Sequence, residues 1–131
     1  MPLLIATEGE QKALDLFLKS NAENLVLKLY TNNKTPAQAD TPASYTEASG
    51  FGYAAKTLTA ASWTLSSGGP SIATYAQQIW TFTGALGNVY GYYYVGATSG
   101  KLYGAERFTN GPFNVTTADT EIRHTPRITL T

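Results

Sequence analysis

The chain has 131 residues, with nine lysines and arginines balanced by nine aspartates and glutamates, and no cysteine. That length is one domain by default, long enough to bury a core without covalent staples. The missing cysteines exclude disulfides and thiolate metal sites, and the zero net charge excludes the basic footprint of a nucleic-acid binder. Charged residues are only 14% of the chain, against about 25% in ordinary globular proteins. The surface is therefore polar but poorly charged, a composition that favours association.

The opening Met1-Pro2-Leu3-Leu4-Ile5 is apolar, but it lacks the basic start of a secretory signal. No window approaches the ~20 apolar residues of a membrane span. The expectation is a chain that folds inside a cell, with no membrane partner and no nucleic-acid partner. Thr7-Glu8-Gly9-Glu10 reads as a capping box, with Thr7 accepting from a backbone N–H three residues on and Glu10 reaching back. A helix follows through Lys19, with Ala13, Leu14, Phe17 and Leu18 on one stripe. Glu8 and Glu10 near its start and Lys19 near its end suit the helix dipole. The stripe is expected to seal an open end or face of the sheets, with a partner-binding helix as the alternative.

From Leu25 the pattern changes to a period of two. Leu25, Leu27 and Leu29 face the core, and Lys28 and Tyr30 face out. Thr31 to Ala43 is a polar loop with two prolines, of a length often functional or mobile. Tyr45 to Leu58 reads as a strand bent at Gly50 and Gly52. Ser62 to Leu65 reads as a short strand, and Ile72 to Thr83 as a long one with Trp80 and Phe82 on one face. Val89–Val95 and Lys101–Phe108 flank a small-residue turn, Gly96 to Gly100, and predict a β-hairpin. On its first strand Tyr90, Tyr92 and Tyr94 share one face, and Val89, Gly91, Tyr93 and Val95 the other. Phe113 to Thr116 is a brief strand, and Glu121 to Leu130 the last, where Pro126 marks an edge or a bulge. One helix and about eight strands, with turns every 8–12 residues, predict a mainly β fold. The architecture expected is an antiparallel β-sandwich, jelly-roll-like, with one N-terminal amphipathic helix. Residues 1–131 form a single domain in this reading, with 1–24 as arm and helix and 25–131 as the sandwich.

Little in the chain suggests chemistry. His124 is the single histidine, on the apolar face of a strand. A zinc site needs three or four ligands at suitable spacing. A catalytic triad needs a third group to orient the histidine, and no GxSxG elbow is present. Glu47, Glu106 and Glu121 are not brought to one cleft by any pattern, as a glycosidase pair requires. The expectation is no enzyme, no metal and no cofactor. The tyrosines of the hairpin leave three readings open: core and cross-strand pairs, a protein interface, or a platform that stacks sugars. Candidate contact residues are Tyr90, Tyr92, Tyr94 and Tyr103, with Pro2, Leu3, Leu4 and Ile5 of the apolar arm.

Several stretches taken together resemble small structural proteins of tailed bacteriophages. They are the opening helix after Leu3-Leu4-Ile5, the run Glu23-Asn24-Leu25-Val26-Leu27-Lys28-Leu29-Tyr30-Thr31-Asn32-Asn33, and Phe51-Gly52-Tyr53-Ala54-Ala55-Lys56-Thr57-Leu58. Gln78-Ile79-Trp80-Thr81-Phe82, the strand Val89 to Val95, Ala105-Glu106-Arg107-Phe108 and Thr125 to Leu130 complete the set. The resemblance spans nearly the whole chain and is closest to capsid decoration (cement) proteins. It implies a virion protein of the capsid surface, made in the host cytoplasm, that binds and stabilises the lattice of the major capsid protein. It also implies a homo-oligomer, and a trimer in particular, since such proteins often sit at local three-fold axes. A tail, neck or fibre component of the virion, or a glycan-binding β-sandwich module, is the alternative.

Overall fold

The computed structural model describes residues 3–20, 23–66 and 69–130. Helix α1 spans Thr7–Leu14 and widens into a π-helical turn at Asp15–Lys19. The strands that follow are β1 Leu25–Tyr30, β2 Lys56–Leu58, β3 Thr64–Leu65, β4 Ser71–Thr74, β5 Gln78–Thr81, β6 Gly87–Val89, β7 Gly91–Gly96, β8 Leu102–Arg107, β9 Phe113–Val115, β10 Glu121–His124 and β11 Arg127–Leu130. Among the described residues every ladder is antiparallel. The fold is mainly β with one N-terminal helix, arranged as a sandwich.

One layer is the four-stranded sheet β2-β1-β7-β8. Its inner face carries Leu25, Leu27 and Leu29 of β1 and Tyr92 and Tyr94 of β7, in register as Leu27 opposite Tyr94 and Leu29 opposite Tyr92. The second layer is built from β11-β4-β3 and β10-β5. It contributes Ala73, Trp80 and Ile122 to the same core, which Val89, Val115, Leu14 and Leu18 complete. The other face of the first sheet is covered as well. Tyr30, Tyr45, Tyr93 and Val95 form a second buried cluster there. The segment from Thr31 to Ser44 straps across it. Tyr30 donates its hydroxyl to the Lys34 carbonyl at 3.0 Å, and Tyr45 donates to Asp40 at 2.7 Å. All six residues of β7 are consequently buried.

Several local expectations are corrected. Thr7 is the first helical residue, not the cap: Ala6 takes the cap position with extended backbone and no side-chain hydrogen bond. The Thr7 carbonyl instead accepts from Ser71 Oγ at 3.4 Å, which ties the helix start to β4. At the helix end Ser20 N–H donates five residues back to Asp15 at 2.7 Å. Of the expected stripe only Leu14 and Leu18 are buried, while Ala13 and Phe17, on its other side, face solvent. The run from Tyr45 to Leu58 holds a ladder only at Lys56–Leu58 and a single bridge from Glu47 to Tyr30. Gly50, Phe51 and Gly52 all have positive φ, and three consecutive left-handed residues cannot stay in a strand.

The long strands expected at 72–83 and 121–130 each divide in two. Pro126 has no N–H for the ladder, so pairing continues through its carbonyl, which accepts from Tyr75 at 3.0 Å. Tyr90 also departs from expectation. Its N–H donates to Tyr30 while its carbonyl accepts from Phe108, each at 2.9 Å. In a regular antiparallel strand both groups point to one neighbour, so the chain slips by one residue here, as at a bulge. Val89 therefore joins the main core, and Tyr90 sits with the strap-side cluster instead of with Tyr92 and Tyr94. Gly91 permits the slip, because a Cβ there would overlap the Glu106 carbonyl and the Tyr30 ring.

Leu27 lies wholly buried between the layers. Leu27→Ala leaves a cavity that the two sheets cannot close, and is expected to lower stability by about 2–5 kcal/mol in urea unfolding. A loss below ~1 kcal/mol would contradict a shared core at that position.

Candidate interaction surface

The arm before α1 stands off the body. Leu3 is 91% exposed, Leu4 89% and Ile5 58%. Ile5 alone leans back, its Cγ2 lying 3.4 Å from where a Cβ on Gly9 would stand. Pro2 lies outside the described residues. Burial of each such side chain elsewhere would contribute about 1.5–3 kcal/mol, and the chain's own core is already filled without them.

The hairpin tyrosines fall into three settings. Tyr92 and Tyr94, only 8% and 6% exposed, are core residues. Of the contact area expected of them, to protein or to sugar, only what lines a hollow beside Phe17 remains open. Tyr92 donates to Glu106 Oε2 at 3.1 Å, and Tyr94 and His124 Nε2 share a 3.1 Å hydrogen bond. Tyr90 is half-buried, with the Arg107 guanidinium 5.0 Å from its ring centre. Tyr103 is half-buried and packs on Phe17 with ring centres 4.8 Å apart. Phe17 and Leu16 escaped the sequence reading as surface groups, because Phe17 was counted with the buried stripe.

The cluster of Tyr92, Tyr94, Glu106 and His124 holds the one histidine. Burial pushes the His124 imidazole below its ordinary pKa, against the pull of the Glu106 charge. Burial likewise raises Tyr92 and Tyr94, with the Glu106 and Tyr92 charges adding. These groups therefore sit as a neutral ring and protonated phenols, each polar tip bonded within the cluster, with Tyr92 and His124 ring centres 3.9 Å apart. The arrangement fixes the inner face of the sheet. Among the described residues no group of three or more His, Cys, Asp or Glu is placed to hold a metal ion.

A feature that periodicity could not reveal lies at the hairpin tip. Glu23 Oε1 accepts from the backbone N–H groups of Thr98 and Ser99, both at 2.7 Å, and Oε2 accepts from Tyr103 at 3.2 Å. These contacts, the Ser99 amide foremost, lower the carboxyl pKa to about 2. On the opposite face Asp40 organises the strap. It pairs with Lys34 at 2.9 Å and accepts from the Ala37 N–H at 2.8 Å, and these bonds, Lys34 first, bring it to about 2 as well.

Hollows open on the surface of the described residues. A hollow of about 280 Å³ lies between α1 and β11, walled by Leu14, Phe17, Ile128 and Leu130. It adjoins a second of about 190 Å³, where Phe17 and Ile128 meet Tyr103 and Gly104 of β8. A third, about 350 Å³, separates the strap from β8. Another, about 580 Å³, runs between β9 and β10, and its Arg123 is already paired with Glu121 at 2.7 Å.

Comparison with protein-family models, with curated proteins and with solved structures found no match. Among the described residues no helix is long and apolar enough to cross a membrane.

A carboxylate with a depressed folded pKa stabilises the fold above its unfolded value and loses that contribution as pH falls through its folded one. For Glu23 the window runs from the ordinary 4.5 down to about 2. In an NMR titration the Thr98 and Ser99 amide resonances should move with a midpoint near 2, and Glu23→Gln should abolish the transition. A midpoint at the ordinary carboxylate value would show that the clamp is open in solution.

Proposed function

We propose that this chain is a structural component of a tailed-bacteriophage virion: a capsid decoration protein that binds and stabilises the lattice of the major capsid protein, without catalytic activity or cofactor. The observation that carries the reading is the apolar arm Leu3-Leu4-Ile5, exposed beside a core that is complete without it. It agrees with the phage-like strand motifs and with a surface poor in charge, which loses little on desolvation. The chain acts in this reading as a homo-oligomer on the capsid surface, a trimer by the same resemblance. The arm and the Phe17 face of the helix supply contact area, and Tyr103 of the hairpin packs against Phe17.

The test is addition of the purified chain to undecorated capsids of its phage, followed by imaging. Saturable density at equivalent lattice positions is expected, with loss of binding on removal of residues 3–5. Density confined to the neck or tail, or decoration that is undiminished without the arm, would overturn it.

A further inference from the structure

β8 closes one edge of the four-stranded sheet and has a ladder partner, β7, on one side alone. Its outer edge is flanked by hollows on both faces. On the core face lies the hollow floored by Phe17 and Ile128, and on the strap face the one walled by Pro36 and Asp40. Tyr103, Gly104 and Ala105 line both. An extended segment laid along this edge would continue the ladder and set successive side chains alternately into the two hollows, the geometry of strand addition. The register slips at Tyr94/Val95, so the regular stretch of β8 is Gly104–Arg107, four residues long.

The same chain carries a segment of matching length and character. Leu3–Ala6 is apolar and largely exposed, and it leaves the helix with Ala6 in extended conformation, φ −68° and ψ 156°. It cannot serve its own β8. The helix start is tied to β4 at Ser71, while Tyr103 lies beside Phe17, near the other end of the helical segment. From Thr7 to Phe17 is about 15 Å along the axis. Four extended residues reach at most about 14 Å, so the described arm is used up before it meets the edge. A second copy has no such limit. With zero net charge and few charged groups, two copies approach without repulsion.

We propose that Leu3–Ala6 of one copy adds as a strand to the free edge of β8 of another, burying Leu3, Leu4 and Ile5 in the two flanking hollows. The inference rests on the reading of the arm as a contact element and names its partner as a second copy of this chain.

The chain lacks cysteine, so introduced thiols report cleanly. Leu4→Cys and Gly104→Cys chains, mixed under mild oxidation without capsids, should form a mixed disulfide. The unmodified chain should run as a multiple of 14.1 kDa. Gly104→Glu meets open space in its own fold but fills the core-side hollow. It should reduce the assembly to single chains while leaving the β circular dichroism unchanged. Absence of the mixed disulfide, assembly that survives Gly104→Glu, or a purely intrachain disulfide in the Leu4→Cys/Gly104→Cys double variant would each overturn the proposal. A chain that is monomeric alone yet decorates capsids would refute arm exchange and spare the decoration role. Assembly without capsid binding would do the reverse.

Discussion

Strand β7 has to be dry on both faces, and the rest of the molecule is arranged around that requirement. Its neighbours β1 and β8 satisfy its backbone, but they cannot cover its side chains. On one face Tyr92 and Tyr94 meet Trp80, Ile122 and His124 of the second layer. On the other, Tyr93 stacks on Tyr45 with ring centres 4.9 Å apart and planes 19° apart, and Tyr45 packs on Tyr30 at 4.9 Å. Covering the second face with a loop instead of a sheet brings polar backbone against aromatic rings, and buried backbone groups need partners. The Tyr30 hydroxyl donates to the Lys34 carbonyl and the Asp40 carboxylate accepts from the Ala37 N–H, while the Tyr45 hydroxyl and the Lys34 ammonium hold that carboxylate. Desolvation raises the phenols above their ordinary pKa, Tyr93 up to about 12 with the Glu47 charge adding. Tyr30 and Tyr45 are thereby kept as protonated donors to the strap.

The alternation in β1, the β7–β8 hairpin and the inward Trp80 and Phe82 were legible because each depends only on side chains two residues apart on a pleated strand. The sandwich class followed from the spacing of turns. What could not be read depended on contacts distant in sequence or on a one-residue irregularity. Tyr30 looked outward by parity and does face away from the main core, but it is fully buried because a strap from residues 31–45 returns over it. Tyr90 changed face through a slip whose cause, Gly91 under the Tyr30 ring, lies across two strands. Phe17 was misplaced because the buried face of the helix is narrower than the apolar stripe, and Ala13 and Phe17 fall on its open side. Of the candidate contact residues, the exposed arm was legible as apolar residues ahead of a helix. The distinction between Tyr92 and Tyr103 was not, since both are tyrosines on the same hairpin.

The tyrosine hairpin is thus a scaffold, and the exposed apolar arm, Phe17 and the open edge of β8 lie at its margins. Aromatic burial anchors β7, which holds β8 by its ladder, while the arm lies outside the buried core. Glu23 links the two regions, since its carboxylate fixes the hairpin tip and also holds the Tyr103 ring that floors the groove beside Phe17. The residues of this link come from three separate parts of the chain, so a change at position 23 reaches both the tip and the groove.

Native-state hydrogen exchange across a denaturant series tests most directly whether β7 is the doubly covered spine of the fold. The expected result is that amides within Tyr92–Val95 exchange only through global unfolding, with the same free energy and denaturant dependence as the whole protein, while arm amides are unprotected. Exchange of the β7 amides through a small, denaturant-insensitive opening that releases the strap would contradict it, and would make the outer aromatic cluster a local cover instead of half of the core.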